Sequence, residues 1–219
     1  MKRTALTLVI ASALLAAAPA AVFAQAAPKQ APATAMQGSP SKLVLDNSTR
    51  VLATLERRRA EFTADRSKLT AFVNSEFNTM FDREYAARLV LGRHGRGASN
   101  ADVNLFADAL ADSLMSRYGS SLLDFNTRLQ VRVKSETALP RGLGVRVSSE
   151  LVRSGGTPIP VVYLMRQVGS GWKVYDVMVE GVSFVDIFRK QFDAELQRKS
   201  IRQVATELRG GQIKANAGN

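Results

Sequence analysis

GWKVYDVMVEGVSFVDIFRKQF, residues 171–192, changes its hydrophobic period halfway along. Trp172, Val174, Tyr175, Val177 and Val179 are aromatic or β-branched, and Gly169 and Gly171 mark a turn just upstream, so the first half reads as a strand. At Glu180-Gly181 the period changes from two to 3.6. Ser183 stands where a helix N-cap belongs, and Asp186 is placed to complete a capping box. Val182 and Ile187 occupy the two positions of a hydrophobic staple. Phe184, Ile187, Phe188, Phe192 and Leu196 then recur at helical spacing. The stretch predicts a strand that turns sharply into a helix.

Working back from that corner, three more strands precede it. Leu129, Val131 and Val133 alternate with Arg128, Gln130, Arg132 and Lys134, the pattern of a half-buried strand. Residues 140–144 turn the chain, and Val145 and Val147 resume the alternation through Leu151. Gly155-Gly156 makes a hairpin loop. Residues 159–165 are apolar on both faces, as in a central strand. Four strands joined by short turns make an antiparallel meander. Helices gathered before and after it give an α+β fold, a twisted sheet of four or slightly more strands packed against helices from both ends of the chain.

The helices upstream are read from their stripes. One covers residues 43–60 and ends in the charged run Glu56-Arg57-Arg58-Arg59, either a solvated face or a docking patch. Leu69, Phe72, Val73, Phe77, Met80 and Phe81 form a wide apolar stripe on the next. Asp82 caps a short helix bearing Ala86, Leu89 and Val90, which residues 92–97 break. Ser99 with Asp102 opens the longest helix, residues 99–125, with Val103, Phe106, Leu110, Leu114, Tyr118 and Phe125 in its stripe. Ser200 with Gln203 caps a last helix that stops at Gly210-Gly211.

The 219 residues begin with an address. Lys2 and Arg3 precede an apolar run at 5–18 and the sequence Val22-Phe23-Ala24, the pattern of an export signal cleaved near Ala24. The run is short against the roughly 20 residues of a membrane span, and a retained interfacial anchor is the other reading. Residues 25–40, rich in Ala, Pro and Gln, read as a disordered leader, 41–214 as one domain and 215–219 as a flexible tail. There is no cysteine, so folding rests on the core alone. Without Lys2 and Arg3 the net charge falls from +11 to +9, still an attraction for anionic partners. Export and the absence of a recognised binding motif argue against nucleic acid.

Catalysis has little material. His94 is the single histidine, in a Gly-rich loop with no nucleophile elbow nearby, and no His/Cys cluster suits a metal. Asp176 and Glu180, four residues apart on a strand, stand roughly 13 Å apart. That is beyond the ~5–9.5 Å of a glycosidase pair. Asp176 is expected to satisfy backbone or Arg donors at the corner. No enzyme activity, cofactor or metal is expected.

Three motifs carry a family resemblance. Residues 172–183, WKVYDVMVEGVS, resemble the end of the sheet in the MlaC family of periplasmic phospholipid carriers. Phe81-Asp82-Arg83-Glu84 followed by Leu89-Val90-Leu91-Gly92-Arg93 is similar to that family's helix ending in V-L-G-R, and the helix of residues 99–125 follows at the expected distance. After L-G-R the family carries bulky aromatics, where this chain has His94-Gly95. The resemblance covers roughly residues 43–214. It implies a periplasmic protein, expected as a monomer, whose apolar chamber carries a phospholipid as cargo. It also implies two docking partners, an outer-membrane lipoprotein–porin complex and an inner-membrane ABC transporter with its periplasmic lipid-channel component. The residues expected to line the chamber are Phe72, Val73, Phe77, Met80, Phe81, Leu89, Phe106, Leu110 and Leu114 from the early helices. The sheet is expected to supply Val131, Val133, Val145, Val147, Val161, Tyr163, Met165, Tyr175, Val177 and Val179, and the helix after it Phe184 and Phe188. The alternative is an envelope structural or adaptor protein whose stripes are only core.

Overall fold

The computed structural model describes residues 38–118, 120–123, 129–153 and 155–216. The expected export signal, and the expected leader up to residue 37, lie outside the described residues.

Strands β1 (Leu129–Ala138), β2 (Val145–Arg153), β3 (Ile159–Val168) and β4 (Gly171–Val179) pair antiparallel in chain order, as the meander reading expects. A fifth strand, β5 (Val182–Ser183), is new. Glu180 and Gly181 take φ of 52° and 84°, and two positive-φ residues in succession are what a tight two-residue hairpin requires. Such a pair reverses the chain, so Val182 and Ser183 fold back onto Val179 and Met178 before the helix begins. The corner is a hairpin and then a helix.

That helix, α6 (Phe184–Leu196), is capped as expected by the Ser183 hydroxyl, which accepts from the Asp186 amide at 3.0 Å. The rest of the expected box is replaced. The Asp186 carboxylate pairs with Arg189 at 2.6 Å. Asp176, reaching over from β4, accepts from the Ser183 hydroxyl at 2.6 Å and the Val185 amide at 3.1 Å. Val182 is left 52% exposed, too open for a staple. The second capping box, at the start of α7 (Ile201–Arg209), forms in full between Ser200 and Gln203. Past it Ala215 is fully buried and its amide bonds Ser113, so packing runs beyond the boundary expected at Lys214.

The predicted first helix is two. α1 (Pro40–Arg57) starts three residues early, on Ser39 as cap, and α2 (Arg59–Ala64) follows a break at Arg58. Arg58 there bonds Glu61 at 2.7 Å and stands 4.5 Å over the Phe62 ring, holding the Glu61 carboxyl down at about 2. Arg59 donates to the Leu123 carbonyl. Two of the three arginines thus fasten α2 in place. α3 (Arg66–Met80) and α4 (Arg83–Leu91, capped by Asp82) fall where the stripes put them, and a 3₁₀ turn, Gly92–Gly95, ends α4. The long helix α5 (Asn100–Tyr118) stops short of the expected 125, just before Gly119 in the sequence, and Leu122 and Leu123 continue as a 3₁₀ turn. Phe125 lies outside the described residues.

Three cores result. The largest joins α4, α5, α6 and α7 around Leu91, Val103, Phe106, Phe192 and Val204. A second lies on one face of the sheet, where Val44 of α1 and Met80 of α3 meet Val147, Met165 and Val174. A third, small one gathers Leu55, Phe62, Leu69 and Leu123. Directly paired residues share a face, which puts Val133, Ser149, Val161 and Val179 on the face of the sheet that carries the second core, and Arg166 and Asp176 on the reverse face with α4 and α6. The chain crosses from one face to the other at the β4 edge. There Phe81 bridges to Val174, the Asp82 amide bonds the Val174 carbonyl at 2.8 Å, and the Asp82 carboxylate meets Arg166 at 2.6 Å. The F-D-R-E motif of the sequence is this crossing.

Candidate functional site

The face of the sheet beneath α1 and α3 changes character along its length. At the end near Val174, the residues Val147, Met165 and Val174 are fully buried under Val44 and Met80, and Phe81, Val145 and Trp172 pack around them. Toward the opposite end Val131, Leu151, Ile159, Val161 and Val179 alternate on the same face yet are only half-buried, and none joins a described core. The period-two pattern that made them look like core is real. Among the described residues, no core cluster is pressed against them.

From above, this open half is faced by α1 and α3. Ser48 of α1 lies 3.5 Å from the Tyr163 hydroxyl, and burial pushes that phenol above its ordinary pKa, opposed by the Ser48 contact. An ion pair between Arg50 and Glu76 and a hydrogen bond from Asn47 to Glu76 tie α1 to α3 on the outside. Phe77 stacks on Phe81 with ring centres 4.0 Å apart. The arrangement is a concave apolar face, sealed at one end by the second core and unfilled at the other.

The expected lining residues divide accordingly. Val131, Val161 and Val179 are on the open half, with Tyr163, Val133 and Val177 between it and the sealed end. Met80, Phe81, Val145, Val147 and Met165 form or border the seal. Phe72 and Val73 pack against the small third core, Phe72 stacking on Phe62 at 5.5 Å, and Phe77 lies between. Six of the expected residues are elsewhere. Leu89, Phe106, Leu110, Leu114, Phe184 and Phe188 belong to or pack on the helical core, where Phe106 meets Phe192 edge-on at 5.5 Å. Their stripes face other helices. Tyr175 also departs: the β-bulge between its neighbours in β4 turns it toward Tyr85 of α4, ring centres 5.4 Å apart. Leu151 and Ile159 were not among the expected residues although the same alternation marks them. Extending it across their ladder partners Val131 and Leu151 finds both.

The groups weighed for catalysis have structural partners. His94 Nε2 sits 2.9 Å from Asp193, which Arg93 also contacts at 3.0 Å, so the loop after L-G-R is clasped to α6. Its partners His94 and Gln197 hold the Asp193 carboxyl below the ordinary range. Asp176 is buried, and the loss of hydration raises its carboxyl despite the Ser183 and Val185 bonds. Among the described residues no group of three His, Cys, Asp or Glu side chains gathers to hold a metal ion. None of the described helices is long and apolar enough to cross a membrane.

With this geometry in view, the chain is placed among known proteins. The MlaC protein family matches residues 45–210, so the chain belongs to that family. The toluene tolerance protein ttg2D of Pseudomonas putida is 25% identical over 163 residues, covering 73% of this chain and 74% of that one. The intermembrane phospholipid transport system binding protein MlaC of Haemophilus influenzae is 22% identical over 173 residues, 78% of this chain and 80% of its own length. A solved structure, the phospholipid-binding protein from Ralstonia solanacearum in complex with a phospholipid, superposes with a TM-score of 0.68 at 22% identity, covering 78% of this chain and 97% of the other. The α+β fold of the sequence reading is thereby shared with a solved protein.

Proposed function

We propose that the chain is a phospholipid-binding carrier of the bacterial periplasm, non-enzymatic, with an acyl tail lying on the half-buried end of the concave face. The observation that carries this reading is the row Val131, Leu151, Ile159, Val161 and Val179, apolar by pattern and unfilled by core. Family membership and the names of the relatives in Pseudomonas and Haemophilus support it, as does the phospholipid held by the Ralstonia protein. The chemistry explains the need. Two acyl chains of about 30 carbons together would cost on the order of 20 kcal/mol to expose to water, at about 0.8 kcal/mol per methylene. A carrier exchanges bilayer for protein interior, so transfer is close to isoenergetic and direction comes from the complexes it visits. In this reading residues 1–24 export the chain, and it shuttles between an outer-membrane lipoprotein–porin complex and an inner-membrane ABC transporter.

Detergent-free purification followed by lipid extraction and mass spectrometry tests the reading. Diacyl phospholipid in near-stoichiometric amount is the expected result. A sample free of lipid that also fails to take it up from vesicles overturns the carrier and leaves an envelope adaptor.

A further inference from the structure

On the helical half, the turn after α4 and the junction of α6 with α7 border a groove of about 480 Å³. His94, Arg96, Lys199 and Arg202 line it, with Leu196 and Ile201. A single lining carboxylate, Asp102, is engaged by Arg202 at 2.7 Å and by the Ser99 hydroxyl at 2.9 Å. Lys199 is evenly matched, 33% exposed against 27 and 31% for its partners Glu195 and Glu207, whereas three ion pairs at or beside the lining residues in sequence are lopsided. The side chains of Arg93, Arg198 and Arg202 are 61, 70 and 68% exposed, while those of their partners Asp193, Glu195 and Asp102 are 41, 27 and 30% exposed. Pairs that are neutral on paper therefore turn their cationic ends outward. Arg96 adds an exposed guanidinium that forms no ion pair among the described residues. Between these cations Leu196 is buried and Ile201 half-buried, which gives the groove an apolar floor.

We infer that this groove docks an acidic segment of a partner protein, seating an apolar side chain on Leu196 and Ile201 and its carboxylates among Arg96, Arg198 and Arg202. The recessed Leu196 favours a polypeptide, whose side chain can reach into the shallow groove, over a flat bilayer, which would meet chiefly the exposed cations. A second copy is disfavoured by repulsion between chains of net charge +9 once Lys2 and Arg3 are removed with the export signal. The volume lies within the range of built ligand sites. Because the groove is formed by the helices, away from the concave face of the sheet, the inference stands whether or not that face holds lipid.

A fluorescein-labelled peptide of alternating glutamate and leucine is the probe, read by anisotropy on the folded protein and by amide chemical shifts. Binding is expected to weaken as salt rises. Shifts are expected to concentrate at Ala98, Leu196 and Ile201. Arg96→Glu combined with Arg198→Glu is expected to weaken binding about tenfold with an unchanged melting temperature, and Arg96→Gln by less. Arg141→Glu, on the turn between β1 and β2, is expected to leave it unaltered. Equal losses for Arg96→Glu and Arg141→Glu would assign the attraction to overall charge and overturn the site. No peptide binding, or binding to phosphatidylglycerol vesicles in its place, would overturn it as well.

Discussion

The helical half and the concave face of the sheet use the same kinds of side chain and pack them in opposite ways. Phe106 and Phe192 are fully buried and meet edge to face, inside a cluster that draws on four helices. Val161 and Val179 keep part of their surface open, and nothing in the three cores presses on them. The first region holds the fold together. The second has left apolar surface unfilled, a stability it forgoes and an occupant could supply. If the sheet face binds lipid as proposed, stability and binding fall to different halves of one chain, and substitutions can separate them.

The largest effect on stability is expected in the helical half. Phe106→Ala empties a closed site and is expected to cost about 3–5 kcal/mol in denaturant unfolding, with lipid content per folded molecule unchanged. Lipid lost in step with stability would show that the two halves are not separable.

Next comes the link between the halves. Asp176→Ala leaves the Ser183 hydroxyl and the Val185 amide without their acceptor, and an expected loss of about 1–3 kcal/mol follows. The pH dependence has the opposite sense from most carboxylates. Burial raises the Asp176 carboxyl, so its contribution is greatest below its unfolded pKa and is lost as pH rises through the folded value. Asp176→Asn is therefore expected to be at least as stable as the parent at neutral pH and to steepen the acid limb of the stability profile, because it lacks the stability that Asp176 gains as pH falls. Denaturation midpoints across the carboxylate range check both.

Ser183→Ala is expected to cost about 1 kcal/mol, because one hydroxyl both caps α6 and meets Asp176. The smallest effect on stability belongs to the concave face. Val161→Asp should shift the midpoint by less than about 1 kcal/mol, as at other incompletely buried positions, while lipid recovery falls to background. An unfolded Val161→Asp protein would mean that this face is core after all.

Much of the fold was legible because local chemistry fixes local geometry. The alternation of each strand, Asp82 and Ser200 as caps, and the turns at 140–144 and 155–156 all rest on residues adjacent in sequence. The site was legible only in part. A period-two or 3.6 pattern says which side of an element is apolar and leaves open what lies opposite. Phe106 and Val161 have equally regular neighbours, yet one faces Phe192 and the other an unfilled face. Likewise Asp186 was placed to complete its capping box, yet its carboxylate pairs with Arg189, and Asp176, ten positions earlier, braces the corner through the Ser183 hydroxyl and the Val185 amide. Such choices depend on contacts between distant segments, which spacing does not encode.

The crossing at Phe81 and Asp82 has a mechanical meaning. α3 is fastened at its C-terminal end, where the chain is stitched to β4 and Lys173 reaches the carbonyls of Asn78 and Thr79. Its other end rests with α2 on the small core around Phe62 and, among the described residues, makes no such bond to the sheet. α3 is therefore a lever with its fulcrum at the sealed end. Its 15 residues span about 22 Å, so a tilt of roughly ten degrees moves the free end by about 4 Å and the fulcrum hardly at all. Room would be gained in proportion to distance from Met80, so on the carrier reading a bulkier occupant would be accommodated beside Val131 and Val179 while the packing at Met165 and Val174 stays as it is.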